Sequence, residues 1–191
     1  MNTALLLVDF QNDYFPGGKM ELYKSTEASL NAREILEFFR DKKMPIIHVQ
    51  HFSIYRGAAF FVPDTEGVKI HFNVTPLANE KVIKKNYPNS FRETELLDNL
   101  KFNEIQKIVI CGMMTHMCID ATARASFDYG FENIIIKDAC ATKALVFENT
   151  TIPAEYVHYS FLSALNYTYG KVLSTDDTIK SVKTSLKSDA P

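Results

Sequence analysis

The fold can be inferred first from KIVICGMMTHMCIDATARASFDYGFENIIIK, residues 107–137 of the chain. Lys107–Cys111 is a short apolar run rich in β-branched residues, which predicts a strand. The segment His116–Tyr129 is predicted to be helical, and Gly130 is a natural residue to end it. A second apolar run, Asn133–Lys137, follows almost directly. A strand, a helix and a strand in this order predict a βαβ unit with parallel strands.

The same alternation continues toward both ends of the chain. Further strands are predicted at Ala4–Val8, Pro45–Gln50, Lys81–Lys84 and Lys171–Leu173. Further helices are predicted at Glu27–Lys42, Thr94–Leu100, Ile152–Asn166 and Asp176–Leu186. With right-handed crossovers, this order predicts an α/β fold of three αβα layers around a doubly wound, mainly parallel six-stranded sheet, a Rossmann-like architecture. No linker, repeat or low-complexity segment divides the 191 residues, so we expect a single domain over residues 1–191.

Charge and composition argue against several classes of protein. The formal net charge of -2 is not typical of a nucleic-acid-binding protein. The first residues do not resemble a signal peptide, and no apolar run approaches the roughly 20 residues that cross a bilayer. We therefore expect a cytoplasmic protein without nucleic-acid or membrane partners. The three cysteines, Cys111, Cys118 and Cys140, form no CxxC motif, which argues against a disulfide framework or a zinc site.

Reactive side chains occur where three of the predicted strands end. Asp9 follows the first strand, Lys84 and Lys85 lie at the end of the third, and Cys118 follows the fourth at a helix start. Because ligands bind beyond the carboxyl ends of strands in open α/β sheets, these groups are expected to meet at one edge. Unpaired N–H groups of the first helical turn and a nearby lysine favour the thiolate form of Cys118. Alternatively, Cys118 is a thiol packed in the core, Asp9 only ends its strand, and the lysine pair is solvated.

Three ordered motifs surround these residues: LLVDFQNDYF at 6–15, KNYPNSF at 85–91 and VICGMMTHMC at 109–118. Together they resemble the isochorismatase-like cysteine hydrolase family, part of the isochorismatase/nicotinamidase superfamily. The resemblance extends from about Thr3 to Ala141 and implies an isochorismatase-like fold. The PNSF letters place the family's lysine at Lys85 rather than Lys84.

The resemblance implies a catalytic role for Asp9, Lys85 and Cys118. Asp9 is expected to take the thiol proton and later to donate it to the leaving group, while Lys85 stabilises the thiolate. Cys118 attacks a carbonyl carbon, and the backbone N–H groups of Met114 and Cys118 form the oxyanion hole. The resemblance also implies a cis peptide bond between Met113 and Met114.

The histidines are not expected to bind a metal or to act as the base. Nicotinamidases of this family bind a metal through an Asp-x-His motif after the second strand, where this chain has His48, Gln50 and His51, with His71 later. Gln50 replaces the aspartate and is a poor ligand, so we expect no metal and no cofactor, and nicotinamidase activity is in doubt. The alternative is that His48 and His51 are hydrogen-bonded at a strand end. His116 lies two residues before the nucleophile, a spacing at which helical side chains diverge.

Aromatic residues are expected to line the substrate pocket. Residues 52–74 fit neither helix nor strand, and loops of this length inside compact domains are usually functional. The residues predicted to bind the substrate are Phe15, Phe60, Tyr87 and Phe91, and further candidates are Tyr14, Phe52, Tyr55 and Phe61. Such rings are typical of small-molecule sites, and the alternative is that they belong to the core.

Three functions are compatible with these patterns. The first is hydrolysis of a small-molecule amide or related C–N bond through an acyl-enzyme on Cys118. The second is isochorismatase-type hydrolysis of a vinyl ether, in which Asp9 acts as an acid and the cysteine is not required. The third is a catalytically silent binding or scaffold protein. A small-molecule substrate is the expected partner, and the resemblance implies a homo-oligomer, either a dimer or a tetramer.

Overall fold

A computed structural model describes residues 2–188, and six of its strands form one parallel sheet. The strands are β1 (Thr3–Val8), β2 (Ile46–His51), β3 (Lys81–Lys85), β4 (Lys107–Met113), β5 (Glu132–Ala141), β6 (Leu145–Phe147), β7 (Thr150–Ile152) and β8 (Lys171–Leu173). The α-helices are α1 (Ser25–Asp41), α2 (Leu96–Phe102), α3 (Asp120–Asp128), α4 (Ala154–Thr168) and α5 (Thr175–Ser188). The sheet order is β3-β2-β1-β4-β5-β8, which confirms the prediction of six parallel strands. Within residues 2–188, none of these helices is both long and apolar enough to span a bilayer.

Helices cover both faces of the sheet, which confirms the predicted αβα layers. All six residues of β1 are buried. Leu5 and Leu7 belong to a core that includes residues of α1 and α5. Leu6 and Val8 belong to a second core that includes residues of α2, α3 and α4. Because side chains alternate between the two faces of a strand, the continuous apolar run of β1 supplies both cores.

The strand order reverses between β1 and β4, and this point defines where a ligand site is expected. On one side of β1 lie β2 and then β3, and on its other side lie β4, β5 and β8. In sheets of this kind the crevice at the carboxyl ends of the two central strands binds ligands. Gly112 near the end of β4 has a φ of 140°, and a Cβ there would lie 2.0 Å from the Val8 carbonyl oxygen. A glycine therefore permits the close approach of the two strand ends.

The segment after β5 differs from the prediction. The sequence predicts a helix that begins at Ile152, but Thr150–Ile152 forms strand β7, which pairs antiparallel with β6. The helix begins only at Ala154, because Pro153 and the β-branched residues before it favour an extended chain. Strand β5 is also longer than predicted and continues to Ala141.

Candidate active site

Asp9 and Lys85 form a buried ion pair at the carboxyl edge of the sheet. Lys85 Nζ lies 2.8 Å from Asp9 Oδ2, and both side chains are fully buried. Asp9 directly follows β1 and has a left-handed φ of 55°, a conformation that aspartate adopts more readily than most residues. Lys85 ends β3, and its Nζ also donates a hydrogen bond to the Pro88 carbonyl over 3.0 Å. The ends of β1 and β3 thus bring a carboxylate and an ammonium into contact.

The neighbouring Lys84 lies in a different environment. It is exposed, and its Nζ is 5.2 Å from the centroid of the Phe52 ring. Successive residues of a strand point to opposite faces, so only one of the two lysines can reach Asp9. The structure places Lys85, the residue selected by the motif register, beside the carboxylate.

Cys118 lies in a π-helical turn, Thr115–Ile119, that precedes α3. The Ile119 N–H donates a hydrogen bond to the Met114 carbonyl, five residues earlier, over 3.2 Å. The helical segment predicted from His116 begins here as this wider turn, and the α-helix follows it from Asp120. Single π-helical turns are frequent at functional sites.

The turn brings Cys118 to the buried ion pair. Cys118 Sγ, a carboxylate oxygen of Asp9 and a ring nitrogen of His51 all lie within 4.8 Å of one another. Cys118 is 4% exposed. We refer to Asp9, Lys85 and Cys118 as the acid–amine–thiol cluster. The structure therefore brings together the three side chains that the sequence places at the ends of three different strands.

The protonation state of Cys118 differs from the expectation. Burial and the Asp9 carboxylate raise the pKa of the Cys118 thiol well above its ordinary value, and the Lys85 ammonium offsets this only in part. The helix start and the lysine, both visible in the sequence, favour the thiolate form of Cys118. The buried carboxylate and the loss of solvent outweigh them and favour the neutral thiol. The cluster in its resting form therefore holds a neutral thiol.

The two charged members of the cluster stabilise each other. Burial raises the pKa of the Asp9 carboxyl, but Lys85 and His51 together hold it below its ordinary value. Burial lowers the pKa of Lys85, and Asp9 and Cys118 together raise it above its ordinary value. The cluster thus carries one carboxylate, one ammonium and one thiol at neutral pH, with a base already in place beside the thiol.

The backbone at the end of β4 is arranged as the resemblance implies. The peptide bond between Met113 and Met114 is cis, which confirms that prediction. Met114 directly precedes the π-helical turn, and Cys118 is the fourth residue of the turn. The use of the Met114 and Cys118 N–H groups as an oxyanion hole stays a prediction.

His116 is directed away from a role as the base. Its Nδ1 is hydrogen-bonded to the Thr142 hydroxyl. The ring also contacts Phe161, with the two centroids 5.9 Å apart. The candidate base is therefore Asp9, whose carboxylate lies within 4.8 Å of the thiol sulfur, rather than this histidine.

The histidines considered as metal ligands do not fit a shared metal site. His48 Nε2 pairs with Glu80 over 3.0 Å, and the His71 ring stacks on Phe15 with the centroids 3.6 Å apart. Gln50 donates its side-chain amide to the Val68 carbonyl. Within residues 2–188, one group of three potential ligands occurs, Asp9, His51 and Cys118, and the Lys85 ammonium already occupies the cation position beside its carboxylate.

Glu80 connects His48 to α1 and stabilises the fold. The Arg40 Nε lies 2.7 Å from Glu80 Oε1, and the Glu80 side chain is only 5% exposed. Burial raises the pKa of Glu80, but Arg40, the Leu77 N–H and His48 together lower it to about 2. The burial of His48 at the strand is therefore explained by its hydrogen bond with Glu80.

Replacing Glu80 with glutamine is expected to lower the free energy of unfolding at pH 7 by about 3 kcal/mol, because the pKa falls from 4.5 to about 2 on folding. A lowered carboxyl pKa stabilises the fold fully above pH 4.5, and this stabilisation is lost as the pH falls toward 2. Urea unfolding at pH 7 and at pH 3 measures the difference. The control is Glu66→Gln, which breaks a pair to Lys69 in which Glu66 is 83% exposed and should cost less than about 1 kcal/mol. Equal effects of both variants would contradict the prediction.

The aromatic residues predicted to bind the substrate lie in different surroundings. Phe15 belongs to the core beneath α1 and stacks on His71. Phe60 packs against this core, with its centroid 4.9 Å from that of Phe61. The Arg92 guanidinium lies 3.6 Å from the centroid of the Tyr87 ring.

Phe91 packs in the second core, where its ring contacts Tyr129 and Phe131 at centroid distances of 5.2 and 6.3 Å. Phe131 is a core residue, as the alternative interpretation holds for rings of this kind, whereas Tyr129 is 51% exposed. The assignment of Phe15, Phe60, Tyr87 and Phe91 to a substrate pocket stays a prediction.

Two further side chains, His51 and Tyr14, lie near the cluster. The sequence suggests a possible metal ligand for the first and a pocket wall for the second. His51 Nδ1 lies 3.8 Å from Asp9 Oδ2. Tyr14 is buried close enough that burial, Cys118 and Asp9 together raise the pKa of its hydroxyl well above the ordinary value. A signal for His51 exists in the strand register, since His51 is the pairing partner of Lys85 on the adjacent strand. That register follows from the sheet order, which cannot be read from single strands.

Comparison with known proteins places this chain in a family. The isochorismatase domain matches residues 3–177. The isochorismatase family protein YddQ of Bacillus subtilis (strain 168) is 48% identical over 180 residues, which cover 94% of this chain and 100% of YddQ. Streptothricin hydrolase of Streptomyces noursei is 30% identical over 140 residues, which cover 73% of this chain and 54% of that enzyme. A crystal structure from Oleispira antarctica, ascribed to an isochorismatase hydrolase, has a TM-score of 0.90 and 44% identity, and covers 94% of this chain and 96% of its own.

Proposed function

This chain belongs to the isochorismatase family, and we propose that it is a cysteine-dependent hydrolase that cleaves a small-molecule amide or related C–N bond through an acyl-enzyme on Cys118. Members of this superfamily are hydrolases, and streptothricin hydrolase is an example among the relatives. The observation that carries the proposal is the buried cluster in which a thiol, a carboxylate and an ammonium meet at the strand-order reversal. Perturbed ionisable groups gathered in one crevice are typical of active sites.

Acylation begins from the neutral thiol. As Cys118 Sγ attacks the substrate carbonyl carbon, its proton moves to the Asp9 carboxylate, so the site gains no net charge. The Lys85 ammonium stabilises negative charge that develops on sulfur, and backbone N–H groups at Met114 and Cys118 stabilise the oxyanion. The proton on Asp9 then passes to the departing nitrogen, the C–N bond breaks and an amine or ammonia leaves.

The charge on Asp9 favours amide hydrolysis over vinyl-ether hydrolysis. A vinyl ether must be protonated on carbon, so the acid has to carry a proton before the reaction starts. The pKa of Asp9 is held below its ordinary value by Lys85 and His51 despite burial, so the carboxylate form prevails at neutral pH. In acyl transfer the same carboxylate is the base that the thiol requires, and the thiol supplies the proton.

The proposal is tested first by alkylation. Iodoacetamide at pH 7.5 is expected to label Cys118 on the order of 10-fold or more faster than Cys111 and Cys140, because Asp9 can accept the Cys118 proton within the site. All three thiols are buried with raised pKa values, and Cys118 differs from the other two in having the Asp9 carboxylate and the Lys85 ammonium beside it. The extent of labelling at each cysteine is measured by peptide mass spectrometry. Asp9→Asn should remove the preference, and equal labelling of the three thiols in the wild type would count against the proposal.

The substrate class is tested by a screen of small primary amides and imides for ammonia release. Cys118→Ala is the matched control, because it removes the nucleophile and leaves Asp9 and Lys85 paired. Ammonia release by the wild type that requires Cys118 supports the proposal. Cleavage of isochorismate that persists in Cys118→Ala would favour vinyl-ether hydrolysis instead.

A further inference from the structure

His51 is a partly buried side chain, 16% exposed, whose buried Nδ1 faces the acid–amine–thiol cluster without a hydrogen-bond partner. Its Nδ1 lies 3.8 Å from Asp9 Oδ2, which is too far for a direct hydrogen bond. Among the described residues, this nitrogen is one of the few buried side-chain polar atoms without a partner. Buried polar atoms are nearly always paired, so Nδ1 needs a hydrogen-bond partner at this place.

The backbone of His51 is held from both sides. The Gln11 side chain accepts a hydrogen bond from the His51 N–H over 2.7 Å and donates one to the His51 carbonyl over 2.8 Å. Gln11 is fully buried. The Phe61 ring contacts the imidazole, with the centroids 5.7 Å apart. The position of the ring is therefore fixed by packing and hydrogen bonds rather than by a partner for Nδ1.

The gap between His51 and Asp9 fits a small neutral molecule better than a cation. An oxygen about 2.8 Å from both Nδ1 and Oδ2 spans a separation of 3.8 Å, and 2.8 Å is an ordinary hydrogen-bond length. A divalent cation at this place would lie beside the Lys85 ammonium, which is 2.8 Å from the same carboxylate oxygen and fully buried. Repulsion between two buried cations is severe at low dielectric, so a neutral water is favoured over a cation at this place.

We propose that His51 is a positioning residue that holds the water of the deacylation step against Asp9, an inference that rests on the proposed acyl-enzyme mechanism. The water donates one hydrogen bond to the Asp9 carboxylate and is bound on its other side by His51 Nδ1. Cys118 Sγ lies within 4.8 Å of a ring nitrogen of His51 and of a carboxylate oxygen of Asp9, which places the carbonyl carbon of a thioester on this sulfur close to such a water. Holding the water in place removes much of the entropic barrier to its attack.

The step balances within the site. The water oxygen forms a bond to the thioester carbon while one water proton moves to the Asp9 carboxylate. The C–S bond then breaks, and its electron pair goes to Cys118 Sγ, where Lys85 stabilises the thiolate. The proton on Asp9 returns to the thiolate, and a carboxylic acid leaves with the original thiol, carboxylate and ammonium restored.

The test uses p-nitrophenyl acetate with the full-length protein, since this ester acylates a thiol whatever the natural substrate is. The burst of p-nitrophenolate gives the acylation rate, and mass spectrometry follows the loss of the acetyl group from Cys118. His51→Leu is expected to slow deacylation roughly 10- to 100-fold and to change the burst rate by less than about 3-fold. His51→Asn, which keeps a polar atom near the Nδ1 position, should recover most of the deacylation rate. Added hydroxylamine, a strong nucleophile, should accelerate deacylation of His51→Leu much more than that of the wild type.

Each result decides between the alternatives. The burst amplitude reports the fraction of correctly folded sites, so misfolding of a variant is separated from slow deacylation. Equal loss of the burst rate and the deacylation rate in both variants would mean a purely structural role and would overturn the inference. So would a deacylation rate that does not change. Wild-type protein that is never acetylated at Cys118 would overturn the proposed function, and the inference with it.

Discussion

Replacing Cys118 with alanine is expected to reduce ammonia release from the amides that the wild type cleaves by on the order of 10⁴-fold or more. The reason is that the remaining cluster has a base and a cation but no nucleophile, since Asp9 is held as a carboxylate by Lys85. The fold should be kept, and stability should fall only by the amount typical of a small core deletion, because the ion pair remains. The measurements are single-substrate kinetics and urea unfolding of the same preparations.

The matched controls are the other two buried cysteines. Cys111→Ala and Cys140→Ala remove thiols that are 0% and 6% exposed and lie outside the cluster. Each should retain activity within about 3-fold of the wild type while losing stability typical of a small core deletion. Comparable losses of activity in all three variants would mean that the effect is structural. Undiminished amide turnover by Cys118→Ala would refute the acyl-enzyme.

The sheet was largely predictable because its strands are short apolar runs with helical segments between them. The run of β1, for example, is buried on both faces, and such runs stand out in a sequence. The β6–β7 hairpin was missed for the opposite reason. Its residues are mostly exposed, as in Val146 and Phe147 at 70% each, so no burial pattern marks them. The prediction instead places Ile152, the last residue of β7, at the start of the following helix.

The members of the acid–amine–thiol cluster could be proposed from strand ends and motifs, but their electrostatics could not. A helix start and a lysine predict a thiolate at Cys118. The structure adds complete loss of solvent and a carboxylate within 4.8 Å, and these raise the pKa of the thiol. The position of His51 beside Asp9 depends on the register of β2 against β3 and on the left-handed turn at Asp9. Both are properties of the assembled sheet.

Breaking the Asp9–Lys85 pair from one side is expected to have the largest effect on stability. Lys85→Met leaves the Asp9 carboxylate buried without its cation and should lower the free energy of unfolding at pH 7 by about 3–5 kcal/mol. Asp9→Asn leaves the Lys85 ammonium without its anion and should also destabilise the fold. Asp9→Asn/Lys85→Met removes both charges and should be more stable than either single variant, within about 1 kcal/mol of the wild type or above it. Urea unfolding of the four proteins gives the coupling energy directly.

The control cycle uses the exposed pair Lys81–Glu95, in which the side chains are 40% and 59% exposed and the two charged atoms are 2.8 Å apart. Its coupling energy should be below about 1 kcal/mol, because water screens the charges. Additive effects at Asp9 and Lys85 would show that the buried pair is not coupled as the geometry requires.

The pH dependence of these variants separates charge from packing. In the wild type the pKa of Asp9 is lowered, so its pairing with Lys85 stabilises the fold above the ordinary value of 3.8 and is lost in acid. In Lys85→Met the unpaired, buried carboxyl has a raised pKa, so the destabilisation should shrink as the pH falls and Asp9 becomes protonated. A packing defect would not respond to pH in this way. If the double variant is stable and inactive, the buried charges are retained for the chemistry at Cys118, since a neutral pair of side chains would serve the fold at least as well.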